Sequence, residues 1–420
     1  MKISISIFTP THDSRFLRDA YESIKAQDFH EWILVYNNGA QVLDFGDPRV
    51  KSFVWPNAPP WVGPLKAYAC ERATGDVLLE LDHDDLLTPD ALAEVAAAFD
   101  DPAVGFVYSN TIHATGDLQP VRRFDECWGW KFREVMFQGH QLDEHISFEP
   151  SPESVSRIWY APNHLRAFRR DVYQKVGGYS WEMRILDDLD LMCRLYQATK
   201  FKHIDKGLYV YRVHGQNSWL RYNAEIQQNV YRIYDQYIER LVLRWAEMNG
   251  LSAFDFGGRP LGSPSTSTST STPASTSAST YSSVDLKDAD VCCDLNGAWP
   301  FEDSSVGVIR AFDVFEHLRD PLHTMQEVSR VLAPGGWLFC QVPSADGRGA
   351  FSDPTHRSFW NELSFAYYTR AVKAKYIDTP VRLQAPRLYT TEKDTEGVCW
   401  VVAHLINLKG GYRPCGAVEI

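Results

Sequence analysis

The segment Leu78-Leu79-Glu80-Leu81-Asp82-His83-Asp84-Asp85 is a short apolar run that ends in three carboxylates. The run reads as a buried strand, and a strand of an open α/β sheet delivers the side chains at its carboxyl end into a crevice. Carboxylates crowded there repel one another unless a cation sits between them. Hard divalent cations with a phosphate-bearing ligand are natural occupants of such a place. The segment therefore predicts a site for a metal and a nucleotide diphosphate. Taken alone, it also fits an acidic turn that caps a helix beginning at Pro89.

Other residues of chemical interest stand at the ends of further apolar runs. Phe8-Thr9-Pro10-Thr11-His12 offers hydroxyls and backbone amides to a nucleotide, and Tyr36-Asn37-Asn38-Gly39-Ala40 closes a second run. Val176-Gly177-Gly178-Tyr179 precedes Ile185-Leu186-Asp187-Asp188-Leu189-Asp190-Leu191-Met192-Cys193-Arg194, and Tyr211-Arg212-Val213-His214-Gly215-Gln216-Asn217-Ser218 follows. In isolation Asp187 and Asp188 fit acids favoured by a helix dipole. His214 in isolation fits a hydrogen-bonded loop histidine.

The elements that must position these residues alternate. Strands are predicted over 3–8, 32–36, 77–81 and 104–108, and helices over 14–27, 65–73 and 89–99, which argues for a mostly parallel sheet covered by helices. A long helix is predicted from Asn223 to Met248, with Ile226, Val230, Ile233, Tyr237, Leu241 and Trp245 at helical spacing and Asn249-Gly250 ending it. The region 124–162 is rich in aromatic residues, which stack on sugar faces or fill core. With His164, it is where selectivity for an acceptor is expected.

Taken in order, the FTPT strand end, LELDHDD, VGGY, LDDLDLMCRL and YRVHGQNS resemble the inverting GT-A glycosyltransferases, the large family that includes cellulose and chitin synthases. The resemblance covers about residues 1–220. It implies that Thr9 and Thr11 lie near the nucleoside and that Asp82 contacts the ribose or the metal. It implies that Asp84 ligates Mn²⁺ or Mg²⁺ bridging the diphosphate, with His214 reaching the metal or a phosphate. Asp188 becomes the general base that takes the acceptor hydroxyl proton. Lys66 and Arg212 become phosphate contacts. Where the family usually carries an acidic pair this chain has Asn37-Asn38, which can still hydrogen-bond a base or ribose.

The pattern restarts after a Ser/Thr/Pro/Ala tract from Ser263 to Thr280, a composition that cannot bury enough apolar surface to order itself. Strands are predicted over 253–256, 283–285, 289–293, 308–312, 337–342 and 400–405, a helix over 321–332, and a turn at Ala333-Pro334-Gly335-Gly336. Phe256-Gly257-Gly258, Val314-Phe315-Glu316-His317-Leu318 and Arg330-Val331-Leu332-Ala333-Pro334-Gly335-Gly336 resemble the class I S-adenosylmethionine-dependent methyltransferases over about residues 250–410. That resemblance implies that Asp255, Gly257 and Gly258 approach the methionine part of the cofactor. Asp285 would bind the ribose hydroxyls, and Asp294 and Leu295 would contact the adenine. Arg259-Pro260 and the Ser/Thr tract stand where the family has a third glycine and a helix. Asp353-Pro354-Thr355-His356, with Phe359-Trp360, fits an acceptor pocket or a structural loop.

Composition bounds these readings. A chain of 420 residues predicts two domains, and 44% hydrophobic with 23% charged residues fits a globular protein. A net charge of -12 argues against nucleic acid as the main partner. No apolar run is long enough to span a bilayer. The N-terminus alternates like a strand and does not resemble a signal peptide, and the eight cysteines show no metal spacing, so a cytoplasmic location is expected.

The expected architecture is α/β throughout: a Rossmann-like GT-A domain over 1–220, a connecting helix over 221–250, and a smaller Rossmann-like methyltransferase-type domain over 251–420 with a flexible loop at 263–280. The expected activity is metal-dependent inverting transfer of a sugar from a nucleotide-sugar donor to a glycan or lipid-linked acceptor, with S-adenosylmethionine-dependent methylation as a second activity. The alternatives are an idle glycan- or nucleotide-binding protein, and a methyltransferase whose first domain presents substrate. The sequence assigns no oligomeric state.

Overall fold

The apolar runs assemble into two separate sheets in this computed structural model, which describes residues 2–215, 217–258 and 281–416. The Ser/Thr-rich stretch 263–280, expected as a flexible loop, lies outside the described residues. The chain divides into two compact units, Met1–Leu241 and Val242–Ile420. The division falls inside one long helix rather than at either end of it. Among the described residues no helix is long and apolar enough to cross a membrane.

In the first unit β1 (Ile5–Thr11), β2 (Glu31–Tyr36), β3 (Val50–Val54) and β4 (Val77–Glu80) pair in parallel in the order β3-β2-β1-β4. Their side chains alternate between two cores. Ile5, Ile7, Trp32, Leu34, Tyr36, Val77 and Leu79 face one, and Phe8, Ile33, Val35 and Leu78 the other. Burial on both faces explains why β1, β2 and β4 read as continuous apolar runs. Helices α1 (Leu17–Ile24) and α2 (Val62–Arg72) supply the crossovers. Strand order reverses between β1 and β4, so their carboxyl ends open a crevice.

The sheet continues through β5 (Leu86–Leu87), β6 (Val104–Ala114), a hairpin of β7 (Lys131–Phe137) and β8 (His140–Ile146), β9 (Arg166–Arg169) and β10 (Lys200–Arg212). Its order beyond β4 is β9-β6-β10-β5, with β9 antiparallel to both neighbours. The aromatic-rich region, for which no element was expected, thus contains a hairpin. Gln138 and Gly139 both take positive φ, 47° and 84°, as a two-residue hairpin turn requires. Helices α3 (Ala91–Ala98), α4 (Pro152–Ser156), α5 (Arg170–Lys175), α6 (Asp187–Ala198), α7 (Ser218–Arg221) and α8 (Asn223–Met248) complete the element list. Val230, Ile233, Tyr237 and Leu241 of α8 pack into the core that holds Phe8.

In the second unit β11 (Ser252–Phe256), β12 (Ser282–Asp285), β13 (Val291–Cys292), β14 (Val306–Phe312), β15 (Leu332–Pro343), β16 (Leu383–Thr390) and β17 (Trp400–Asn407) form one sheet in the order β13-β12-β11-β14-β15-β17-β16. Only β17 runs against its neighbours. Helices α9 (Pro321–Val331), α10 (Gly349–Ser352), α11 (Glu362–Thr369) and α12 (Ala371–Ala374) accompany it. Ala333-Pro334-Gly335-Gly336, expected as a turn, lies inside β15, where the pairing register to β14 shifts and Gly335 takes a φ of 76°. The irregular step keeps the strand going past a proline, as bulges do. Order reverses here between β11 and β14, again placing a crevice at the carboxyl ends.

Candidate active site

β4 carries its last residue, Glu80, fully into the interior. A buried carboxylate needs charged partners. Lys66 Nζ on α2 lies at 2.7 Å, Arg166 Nε on β9 at 3.0 Å, and the Tyr179 hydroxyl donates at 3.1 Å. Arg166 is the residue directly opposite Glu80 in the β4–β9 register. Burial pushes the Glu80 carboxyl up, and the Arg166 and Lys66 cations outweigh it and hold the group below the usual carboxylate range. Lys66 Nζ is also 3.4 Å from Asp187 Oδ2. Lys66, expected at a phosphate, is therefore drawn inward: it is buried and serves two carboxylates.

Arg166 extends this cluster toward the surface. Its second arm donates to Asp188 Oδ2 at 2.8 Å. Glu80 is wholly enclosed, whereas the Asp188 side chain keeps 24% of its surface exposed. Burial raises the Asp188 carboxyl, but Arg166 and then Lys66 override it, so the group is ionised and held low. Its neighbour Asp187 faces inward, and burial, opposed by Lys66, lifts it to about 6. The residue before them, Leu186, sits at φ 60°, a left-handed conformation unfavourable to a leucine. That bend sets the first turn of α6 so that adjacent aspartates face opposite surroundings.

Past the end of β4 the remaining acids separate in role. Asp85 is hidden: it accepts from the Tyr209 hydroxyl at 2.9 Å and from the Arg212 backbone N–H at 2.7 Å, and burial, with Asp84 and Asp82 near, raises it. It ties β10 to the acidic loop. Asp84 Oδ2 lies 2.7 Å from His214 Nε2. Asp82 Oδ2 lies 3.6 Å from His164 Nε2. Burial and the nearby Glu80 lift Asp82 to about 7. His164 is kept neutral, at about 3, by burial and by Arg166. Arg212 is buried over Phe16, with one arm 3.1 Å from Asp19 Oδ2; its Nε and a second arm have no hydrogen-bond partner among the described residues. Unused buried donors of that kind cost ~1–3 kcal/mol each, and they suit a diphosphate.

The threonines behave differently from expectation. Thr9 is fully buried, donates to the Leu81 carbonyl at 2.6 Å and accepts from Trp32 Nε1 at 2.8 Å, so its hydroxyl braces β1 against its neighbours instead of facing the nucleoside. Thr11 Oγ1 donates to the Asp13 carbonyl at 2.8 Å. Asn37 is buried with its Oδ1 unpartnered, and Asn38 turns the chain at a φ of 53°. Beyond β1 and β2 a cavity of about 360 Å³ is lined by His12, Asp13, Ser14, Arg15, Arg18 and Leu43 among others. The structure thus gathers Asp82, Asp84, His214, Arg212 and Asp188 around the β4 end. It withdraws Thr9 and Lys66.

The second sheet sorts its acids in the same way. Asp255 is clamped bidentately by Arg310, the residue opposite it on β14, at 2.9 and 2.7 Å. It is a fold-holding acid and not the free methionine contact expected. Gly257, just past β11, has φ 74°, and a Cβ there would lie 2.7 Å from Val314 Cγ2. A Cβ on Gly258 would lie 2.5 Å from Asp255 Oδ2. Asp285 ends β12 half-buried, with one oxygen accepting the Leu286 N–H at 2.5 Å. Asp294 is exposed and caps Asn296 at 2.9 Å. Leu295, expected against the adenine, packs into the core with Phe256 and Trp299.

Comparison with known families decides between readings of these two crevices. Residues 6–177 match the family model described as glycosyl transferase family 2, and residues 230–378 match one described as a methyltransferase domain. The chain combines a stretch similar to family 2 glycosyltransferases with one similar to a methyltransferase domain. It is 28% identical over 220 residues to the O-antigen biosynthesis protein RfbC of Myxococcus xanthus, covering 49% of this chain and 15% of that protein. It is 26% identical over 224 residues to the protein y4gI of Sinorhizobium fredii, covering 50% of this chain and 22% of that one. The chain therefore spans less than a quarter of the length of these relatives. Among solved structures, TarS of S. aureus in complex with UDP matches with a TM-score of 0.41 and 16% identity, over 58% of this chain and 66% of that one. The mannosyltransferase PcManGT of Pyrobaculum calidifontis, in complex with GDP-Man and Mn²⁺, matches with a TM-score of 0.34 and 16% identity, over 60% of this chain and 65% of that one.

The glycosyltransferase domain has a donor set that fits a divalent cation. Asp84 Oδ2 and His214 Nε2, 2.7 Å apart, need little movement to share an ion at the ~2.1 Å bond lengths typical of such ligands. Carboxylate with imidazole suits Mn²⁺ better than Mg²⁺. Sequence reasoning missed Arg166 and undervalued Glu80. A glutamate within a leucine run was the available signal, since such a charge demands a cation somewhere in the fold.

Proposed function

We propose that the first domain transfers a sugar, with inversion, from a nucleotide-sugar donor to a hydroxyl of a glycan or lipid-linked acceptor. One observation carries this: the acids at the β4 end and the α6 start divide into a cation-suited pair, Asp84 with His214, and a separate ionised carboxylate, Asp188, fixed by Arg166. Asp84 and His214 hold Mn²⁺ or Mg²⁺, whose contribution is to neutralise the departing diphosphate. Arg212 turns its unused buried donors to the phosphates. Asp82 faces the ribose. Asp188 accepts the proton of the attacking hydroxyl, and Arg166 fixes that carboxylate's position and keeps it ionised. The cavity between the ends of β1 and β2 accommodates the base.

The test is a donor screen with Mn²⁺, reading released nucleoside diphosphate. Asp84→Ala abolishes metal-dependent turnover. Asp188→Asn binds donor but does not transfer. If no donor in a broad panel is cleaved while nucleotide binds, the domain is a binding module.

A second activity, methyl transfer from S-adenosylmethionine, is supported by the β11–β14 switch point, where Gly257 leaves no room for a Cβ and Asp285 ends the adjacent strand. Calorimetric titration of the folded chain with S-adenosylmethionine checks it, and an absence of heat removes the claim.

A further inference from the structure

Directly after β14 the chain makes one tight helical turn, Phe315–His317, that sends Glu316 inward. Glu316 is 2% exposed, and neither carboxylate oxygen has a hydrogen-bond partner in another described residue. Burial, with Asp313 and Asp353 near, raises it to about 7. An unpaired buried carboxylate is among the costliest groups a core can contain, and it is met either by a proton or by a bound cation. Two imidazoles adjoin it. One ligand atom each from Glu316, His317 and His356 lie within 4.8 Å of one another, and the two rings stand 5.0 Å apart at 75°.

The surroundings fix the tautomers. The Thr355 hydroxyl donates its single proton to Asp353 Oδ1 at 2.6 Å, so it can only accept from His317 Nδ1, 3.1 Å away. His356 Nδ1 lies 2.9 Å from the Ala350 carbonyl, which can only accept. Both rings therefore carry their proton on Nδ1 and keep a lone pair on Nε2. Metal-binding histidines are oriented by outer hydrogen bonds of this kind. The backbone holds the loop in place as well: the Arg357 and Ser358 N–H groups donate to the Glu316 carbonyl at 2.7 and 3.0 Å.

We propose that Glu316, His317 and His356 bind a first-row divalent transition ion beside the methyltransferase crevice. One carboxylate and two imidazoles favour Mn²⁺, Fe²⁺, Co²⁺ or Zn²⁺ over Mg²⁺ and Ca²⁺. Three protein ligands leave open positions for a water or an acceptor oxygen. The site adjoins Val314, which touches the space above Gly257, so an acceptor bound there lies next to the expected cofactor position. It is separate from Asp84 and His214 in residues and in domain.

Equilibrium dialysis of the full chain against Zn²⁺ and against Mn²⁺ tests this, with Asp84→Ala removing the first domain's site. Asp84→Ala retains one ion per chain. Adding Glu316→Gln or His356→Gln weakens that ion at least tenfold, and Thr355→Val weakens it by a smaller factor. Glu316→Gln removes an unpaired buried charge, so in chelator it unfolds at the parent temperature or above, and Zn²⁺ raises the unfolding temperature of the parent alone. His317→Gln serves as a second variant. The proposal is overturned if Asp84→Ala empties the chain, or if the Glu316, His317 and His356 variants bind Zn²⁺ and Mn²⁺ like the parent.

Discussion

Replacing Arg166 by Met separates the roles assigned to one cation. The guanidinium serves Glu80, with no exposed surface, and Asp188, with 24% exposed. Methionine keeps the apolar stem and removes the charge. Breaking a buried pair by deleting one partner costs ~3–5 kcal/mol. Glu80 retains Lys66 at 2.7 Å, and solvent screens Asp188, so the lower end, ~3 kcal/mol, is expected. That is a large share of a domain's ~5–15 kcal/mol and is measurable by urea unfolding of the full chain. The same change acts on chemistry in a second way. Burial raises Asp188 and Arg166 lowers it, so without the arginine the balance shifts upward. The acid limb of the pH–rate profile for transfer should therefore move to higher pH. Arg166→Lys restores part of the limb because it restores charge without the fork. If Arg166→Met costs stability but leaves the acid limb where it was, Arg166 is structural only and Asp188 is not the base it positions.

Two further perturbations probe other parts of the first domain. Arg212→Met removes the unused donors while leaving the backbone N–H that holds Asp85, so the fold stays intact and the product nucleoside diphosphate binds ~10–100-fold more weakly by calorimetry; unchanged affinity would place the phosphates elsewhere. His145 is held near 4 by burial among aromatic rings, against 6.5 when unfolded. The unfolded chain therefore takes up a proton first as pH falls, and stability is lost between pH 6.5 and 4. His145→Gln should flatten that loss by up to ~3 kcal/mol in denaturant unfolding at pH 7 and 4.5, and an unaltered slope would show that His145 is already charged in the fold.

Local features of this chain were legible because they are carried by neighbouring residues. The apolar runs of β1, β2 and β4 and the helical spacing of α8 each identify an element without reference to the rest of the fold. The acids at the β4 end and the α6 start followed from those elements. What escaped reading depends on pairing across the sheet. Arg166 lies far from Glu80 in sequence and meets it only because β9 inserts antiparallel to β4. Arg310 meets Asp255 through the β11–β14 register. Lys66 looked like a phosphate ligand because a lysine in a helix gives no sign of which way it faces. The β7–β8 hairpin was masked because its strands are largely charged and polar, although Gln138-Gly139 supplied a turn signal.

These pairings suggest a physical rule for telling working acids from structural ones in both domains. Glu80 and Asp255 lie within strands, where the next strand can place a residue directly opposite, and in each case that residue is an arginine. Asp84 and Glu316 lie beyond strand ends, where no ladder continues. Among the described residues Asp84 meets His214, and the Glu316 carboxylate has no hydrogen-bond partner in another residue. An acid paired in the ladder has its charge met by the fold, and removing it mainly costs stability. An acid left past the ladder has its charge met by solvent, by an imidazole or by something the chain binds. Asp188 is the instructive exception, since it lies on a helix yet shares the arginine of an in-strand acid. That sharing lets a buried, stabilising cluster fix the position and ionisation of a carboxylate that still reaches solvent, which is what a base at a sugar-transfer site requires.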